Sequence, residues 1–216
     1  MCYARANLEG IDRLVKLISK IRYPPDNGND NSDQEHLPLA IPDPINGTTY
    51  ILVQDGARYA VRNMAQGLKS DFSVNPIHHA RSEGLLNTRS FREPLQRGRG
   101  LLLCDGYNEA GNHVSRKDGN TMCLAVLWRP ANSCSTDHSS FAIVTISPNE
   151  VLEKIHDRMP VILPDVPSMA AWLGIENLDY CLALSTLKTY EADELHIRRI
   201  GSNKREPAAN CLSLFD

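Results

Sequence analysis

Cys2 follows the first methionine directly. An initiator Met before a small side chain is commonly removed, which would leave Cys2 with a free α-amine beside its thiol. Such an amine titrates at about 7.7–8.0 and a thiol at about 8.5, so each is partly nucleophilic near neutral pH. This 1,2-aminothiol attacks an aldehyde twice: the amine gives an imine, and the thiol then closes a thiazolidine ring. No other position in a chain offers that pair. Taken alone, Cys2 fits a chance residue in a frayed terminus better than a reactive one. Three further clusters carry chemistry-bearing groups. Asp105-Gly106-Tyr107-Asn108-Glu109 follows the apolar run ending at Cys104, and a carboxylate at a strand end can act as a general acid or base. His156 lies at a helix end before a strand start and can titrate near neutrality. His79-Ala80-Arg81-Ser82-Glu83 gathers an imidazole, a guanidinium and a carboxylate. Each cluster alone is as well explained by turns and solvated faces.

The 216 residues are enough for one large domain or two small ones, and for a core without staples. Hydrophobic content of 42% and charged content of 23% are those of an ordinary soluble globular chain. No apolar run is long enough to span a membrane. The amphipathic, charged stretch from Leu8 to Ile21 is not a secretory leader, so a cytoplasmic protein with reduced thiols is expected. None of the six cysteines stands in C-x-x-C spacing, and no metal site or cofactor is expected. A net charge of −3 disfavours electrostatic wrapping of duplex DNA. A local basic stretch nevertheless holds Arg81, Arg89, Arg92, Arg97 and Arg99 against Glu83 and Glu93. By itself it reads as a solvated face.

These groups must be positioned by the surrounding elements. Leu8, Ile11, Leu14, Val15, Ile18 and Ile21 recur at helical spacing, and Pro24-Pro25 ends that helix. Residues 26–47 are rich in Gly, Asn, Asp and Pro and predict a long surface loop. Thr49 to Gln54 predicts a strand, Asp55-Gly56 a hairpin turn, and Arg58 to Arg62 the return strand. Leu101–Cys104, Met122–Trp128 and Phe141–Ile146 predict further strands. Ser90-x-x-Glu93 resembles a capping box opening a short helix that ends near Gly98. Ser147-Pro148-Asn149-Glu150 predicts a helix to about His156, capped by Ser147. Ser168–Leu173 and Leu178–Thr186 predict two more. There is no internal repeat. Scattered strands and short helices predict an α+β chain, read as one domain over 1–216.

In combination and in this order, the clusters resemble the SOS-response-associated peptidase family, proteins that crosslink abasic sites in DNA. Met1-Cys2 matches the family's start, and His79-Ala80-Arg81-Ser82-Glu83 looks like its N-A-R-x-E motif. Cys104-Asp105-Gly106-Tyr107-Asn108-Glu109 looks like its A-D-G-[FW]-Y-E motif, and His156-Asp157-Arg158-Met159-Pro160 matches its H-x-R-M-P motif. The resemblance runs from residue 2 to about residue 214. It implies a barrel-like antiparallel core with flanking short helices and a cleft for single-stranded DNA bearing abasic sites. It further implies that Cys2 forms the thiazolidine after Met1 removal. Glu109 would shuttle protons, for that self-processing as well, and His156 would protonate the sugar oxygen. Arg81, Arg89, Thr145 and Arg158 fall where the family contacts DNA. A monomer is expected.

Three departures stand out. His79 occupies the place of the family's Asn and offers one donor and one acceptor on a larger ring. Gln66 and Ala110 stand where the family has aromatic residues. The family's early Arg is displaced to Arg5. Two alternatives therefore stand beside abasic-site crosslinking. One is an N-terminal-nucleophile amidohydrolase using Cys2 with its own amine as base. The other is a single-strand-binding relative whose catalysis has been altered.

Overall fold

The computed structural model describes residues 3–6 (as backbone alone), 47–55, 58–131, 139–174 and 180–200. Cys2, the expected helix over residues 8–21 and nearly all of the expected loop over 26–47 lie outside the described residues.

The apolar, β-branched runs form the expected long strands. β2 (Thr49–Asp55) pairs antiparallel with β3 (Arg58–Gln66) across the predicted hairpin. The hairpin runs longer than the sequence predicts, because β3's polar residues still pair with β2 as far as Met64. β7 (Arg99–Glu109) pairs with β2 and with β9 (Met122–Arg129), and β9 pairs with β10 (Ser140–Ile146). β10 then meets β3 at Ser140↔Ala65 and Phe141↔Gln66. The pairing thus returns on itself as a barrel-like ring. The expectation of an antiparallel core needs one correction. The β10–β3 contact is parallel, and so is the pairing of β10 with β6 (His79–Arg81).

Side chains alternate across these strands. One face gathers Leu52, Leu101, Leu103, Ala125, Leu127 and Val144 with the helix residues Phe91, Leu95, Trp172 and Leu173. The other gathers Ile51, Val53, Leu102, Cys104, Leu124, Val126 and Ile143. Each such buried Leu, Ile or Val contributes about 1.5–3 kcal/mol relative to exposure. Shorter strands complete the sheet at its margins. β8 (Asn112–Arg116) pairs with β7, β12 (Leu195–Arg199) with β8, and β11 (Met159–Pro160) with β10. β4 (Leu68–Ser70) and β5 (Ser73–Ile77) form a separate hairpin. Gly67, before β4, has φ +120°, and a Cβ there would press on Pro76.

α1 (Arg89–Arg97) ends at Gly98 as expected, but the Ser90 capping box does not form. Thr88 precedes the helix, and buried Ser90 instead receives a hydrogen bond from Ser70 Oγ at 2.8 Å. The helix predicted from Ser147 is only a 3₁₀ turn, Leu152–Lys154. Two residues before its N-cap Val151, buried Asn149 accepts from Leu152 N–H through Oδ1 at 3.0 Å while its amide donates to Tyr190 O at 2.8 Å. α2 (Val166–Leu173) starts at a capping box of Asp165 and Ser168, and α3 (Cys181–Ser185) follows.

The basic stretch divides. Arg81, Arg89, Arg92 and Arg97 are exposed, but Arg99 is buried and is no part of a solvated face. Its guanidinium donates to the carbonyls of Leu95, Trp172 and Gly174, tying the ends of α1 and α2 to the start of β7. Burial pulls its pKa down to about 10, so it stays charged near neutrality.

Candidate functional site

The position of Glu109 is set by an irregularity in β7. The N-terminal strand β1 (Tyr3–Ala6) lies antiparallel on β7, with Tyr3 opposite Asn108, Ala4 opposite Tyr107 and Ala6 opposite Cys104. Two steps along β1 span three along β7, so β7 carries one extra residue in the Asp105-Gly106 stretch. A one-residue bulge reverses the alternation beyond it. Before the bulge the even-numbered Leu102 and Cys104 face the second core cluster; after it, the odd-numbered Tyr107 does. Glu109 therefore turns to that same face and is 8% exposed, while Asn108 is exposed. Gly106 is required because a Cβ there would collide with the Val114 carbonyl.

β6 brings its residues to the same face. His79 lies opposite Ile143 and Arg81 opposite Thr145, and directly opposite residues share a side of the sheet. Ala80 points the other way into the core. His79 is half-buried, and burial lowers its pKa from the ordinary 6.5. The Glu109 carboxylate works against that shift, whereas the His78 and His156 rings add to it. His79, Glu109 and His156 are thus electrostatic neighbours, although they come from separate stretches of sequence.

Arg158, just before β11, is fixed from two sides. Its guanidinium donates to both Glu83 carboxylate oxygens, each at 2.8 Å, and to Thr145 O at 2.7 Å. The Arg158 hydrogen bond is the main reason that the Glu83 carboxyl falls from 4.5 to about 2. Glu83 is the residue that the sequence reading left without a role, although the motif around Arg81 contains it. Among the described residues no carboxylate pairs with Arg81.

His156 is exposed at the end of the 3₁₀ turn. Its Nδ1 is 3.1 Å from the Arg158 backbone N–H and 3.0 Å from Asp157 Oδ1. The first contact needs an unprotonated Nδ1 and the second a protonated one. The ring therefore has a partner in either state, and when it is neutral with Nδ1 as acceptor its proton sits on Nε2.

A cleft of about 560 Å³ is lined by His79, Arg81, Glu83, Gly84, Thr88, Phe91 and Arg158. Arg89 lies beside it, next in sequence to Thr88, and its guanidinium is 5.9 Å from the centre of the Phe72 ring. Thr145 is buried behind Arg158 and offers it its carbonyl. Gln66, half-buried at the end of β3, lies opposite Phe141, and Ala110 is exposed in a left-handed turn at φ +46°. Among the described residues no cluster of His, Cys, Asp and Glu is arranged to hold a metal, and no helix is long and apolar enough to cross a membrane.

The SOS response associated peptidase (SRAP) family model matches residues 28–205. The abasic site processing protein YoqW of Bacillus subtilis is 28% identical over 180 residues, covering 76% of this chain and 80% of that protein. The abasic site processing protein YobE of the same organism is 29% identical over 171 residues, covering 72% and 78%. Two solved structures share the fold. A protein from Bacteroides thetaiotaomicron matches with a TM-score of 0.59 at 20% identity, covering 72% of this chain and 74% of that one. A phage-related protein from Bordetella bronchiseptica matches with a TM-score of 0.59 at 19% identity, covering 74% and 79%. With the family model spanning most of the sequence and the same barrel-like ring in solved structures, the chain belongs to the SOS response associated peptidase family.

Proposed function

We propose that this protein processes abasic sites in single-stranded DNA by forming a covalent thiazolidine at Cys2 after Met1 is removed. The observation that carries the reading is the convergence of His79, Glu109 and His156, with the strand that begins one residue after Cys2 paired against the end of β7 beside Glu109. The relatives named as abasic site processing proteins support the same substrate.

The abasic deoxyribose is a closed hemiacetal and must open before it can react. His156, as an imidazolium with Nδ1–H on Asp157, gives its Nε2 proton to the ring oxygen, and the now neutral ring takes the proton that the anomeric hydroxyl releases, which exposes the aldehyde. The Cys2 amine adds to that aldehyde. Glu109 accepts a proton from the nitrogen and returns one to the departing hydroxyl, so one water leaves and an imine remains. The thiol then adds to the imine carbon, its proton ends on the nitrogen, and the five-membered ring closes with no further loss. A mostly buried carboxylate suits such a shuttle, because poorly solvated charge interacts strongly with nearby dipoles and protons. The same carboxylate would activate water for hydrolysis of the Met1–Cys2 bond. His79, kept neutral by burial, hydrogen-bonds the lesion as donor or acceptor. Arg81 and Arg89 engage phosphates, and Arg158 and Thr145 hold the wall of the cleft against which the strand lies.

The test uses mature protein, its mass confirming loss of Met1, with a single-stranded oligonucleotide bearing one abasic site. A shifted covalent band that disappears in Cys2→Ala is expected. Hydrolysis of amide substrates without an aldehyde-dependent adduct would instead favour an N-terminal-nucleophile amidohydrolase. Tight binding of undamaged strand without any adduct would favour the catalytically altered binding relative.

A further inference from the structure

The short segment that delivers Glu109 is held at both of its ends. Past Glu109 the chain turns at Ala110 and Gly111, both left-handed at φ +46° and +76°. Two donors fasten that turn: the Asn112 amide reaches Ala110 O at 3.1 Å, and the Ile200 N–H reaches Gly111 O at 2.8 Å. The other end is the bulge before Tyr107, and one side chain serves it. His113 lies opposite Asn108 in the β7–β8 ladder, and directly opposite residues share a side of the sheet. The adjacent opposite pair, Tyr107 and Val114, points into the second core cluster. His113 and Asn108 therefore occupy the other face, turned away from Glu109.

The half-buried His113 ring reaches beyond its own cross-strand partner. Its Nδ1 lies 2.8 Å from Asn108 Oδ1. An amide oxygen only accepts, so the ring carries a proton on Nδ1 and donates it there. The far edge of the ring rests on the bulge, because a Cβ on Gly106 would stand 2.9 Å from both Cε1 and Nε2. One imidazole thus touches the residues on either side of Tyr107. Burial lowers its pKa, Arg198 opposite it on β12 lowers it further, Asp105 opposes the shift and His196 adds to it. The ring is therefore neutral near pH 7. A bulge leaves its extra residue unpaired, so the strand is freer to shift there than along a regular ladder. A ring seated on the bulge and bonded just past it removes that freedom.

We propose that His113 is a positioning residue for Glu109: seated over Gly106 and bonded to Asn108, it clamps the bulge so that the next residue keeps its carboxylate facing His79. The count of residues in β7 chooses the face that Glu109 takes, and the ring fixes how closely the carboxylate keeps its place on that face. This rests on the shuttle role given to Glu109 above. The clamp acts through the backbone of β7. His113 lies on the opposite face and is not among the groups whose charge moves the His79 pKa, whereas Glu109 is. Without the ring the carboxylate is less sharply placed, and misplacement of a reacting group by about 1 Å can cost about 10²-fold in rate.

The experiment reads the place of Glu109 through His79. The His79 ring is titrated by NMR in the full chain without DNA, in wild type, His113→Ala and His113→Gln. The Glu109 carboxylate opposes the burial that lowers the His79 pKa, so a carboxylate that moves away lets that pKa fall further. His113→Ala is expected to lower it, and His113→Gln, whose amide can still donate to Asn108, to restore most of the difference. In a Glu109→Gln background His113→Ala should cause no further change. The single-turnover rate of crosslinking to an abasic strand should fall about tenfold in His113→Ala, with affinity for undamaged strand unchanged. Asn108→Ala breaks the same bond from an exposed position, so it carries the test if His113→Ala does not fold, and it should shift the titration in the same direction. A titration unmoved in the folded variants overturns the clamp, even if the wild type crosslinks abasic DNA and the proposed function stands. An equal shift in the Glu109→Gln background also overturns it, because the ring would then act on His79 without the carboxylate. A shift that requires Glu109, in a protein that forms no crosslink, keeps the clamp and removes the proposed function.

Discussion

Glu83→Gln tests whether Arg158 is a structural pin or a free phosphate ligand. Both Glu83 oxygens accept from the guanidinium at 2.8 Å, and Arg158's side chain is only 16% exposed. Hydrogen bonds to a charged group contribute about 1.5–3 kcal/mol when sheltered. Glu83 is itself 56% exposed, so solvent screening brings the pair down toward the surface range. The bidentate geometry keeps it at the upper end of that range, at about 1 kcal/mol. Gln retains the shape, but one of its oxygens is replaced by an amide that faces guanidinium donors. The variant should lose about 1 kcal/mol near neutral pH, or about 2–4 °C in melting temperature for a chain of this size. The pH dependence has a definite sign. The Glu83 pKa falls from 4.5 to about 2 on folding, so its contribution is complete above 4.5 and disappears as the pH falls toward 2. Urea unfolding of wild type and variant at several pH values should therefore give curves that converge on acidification. A double-mutant cycle with Arg158→Met should return a coupling of about 1 kcal/mol. If the variant is equally stable at every pH and binds single-stranded DNA more tightly, Glu83 merely shields a free guanidinium and the pin is refuted.

Three other outcomes follow from the same geometry. Arg99→Met strands three backbone carbonyls and should cost about 3 kcal/mol in urea unfolding; a loss below about 1 kcal/mol would show that the carbonyls find other donors. Burial lowers the His79 pKa, so the unfolded chain binds more protons as the pH drops through 6.5, and stability gained above that pH is lost below it. His79→Asn should remove this acid sensitivity. In Glu109→Gln, NMR titration of the His79 ring should move further down, and an upward movement would refute the assigned neighbourhood. Arg81→Ala should weaken single-strand binding uniformly across sequences and flatten the salt dependence by about 0.7 in log–log slope, the value for one phosphate contact; an unchanged slope would show that Arg81 makes no such contact.

The strands legible in the sequence were those that carry their own burial. Thr49–Asp55, Met122–Arg129 and Ser140–Ile146 are apolar or β-branched throughout, and each sits in the middle of the ring. β6, β8 and β12 are mostly polar, and they are strands because a neighbour supplies the ladder, which no local pattern announces. The capping readings failed at Ser90 and Ser147 for a related reason. Ser90 is recruited by Ser70 and Asn149 by Tyr190, contacts between residues far apart in the chain. At the site, His79, Arg81, Glu109, His156 and Arg158 were singled out only through the motifs that resemble the family's, since their types and spacing alone fit turns and solvated faces equally well. The Glu83–Arg158 pairing, the parallel docking of β6 on β10 and the contributions of Thr88 and Phe91 to the cleft wall depend on packing alone.

The extra residue in β7 has a consequence for how this protein tolerates insertions and deletions. Upstream of Asp105 the strand's phase is fixed by Leu101, Leu102 and Leu103, each committed to a buried face. Downstream, Tyr107 fixes it again in the opposite phase. Glu109 thus faces the histidines because of a count of residues, not because of any side chain at the bulge. Deleting Asp105 would leave every proposed reactive group in the sequence and would restore regular alternation, yet Tyr107 and Glu109 could keep their buried positions only if the strand slipped against β1 and β8. Odd-length changes in this stretch should therefore be far less tolerated than side-chain substitutions at Asp105, and the length of the Asp105-Gly106 stretch becomes as much a part of the site as its carboxylate.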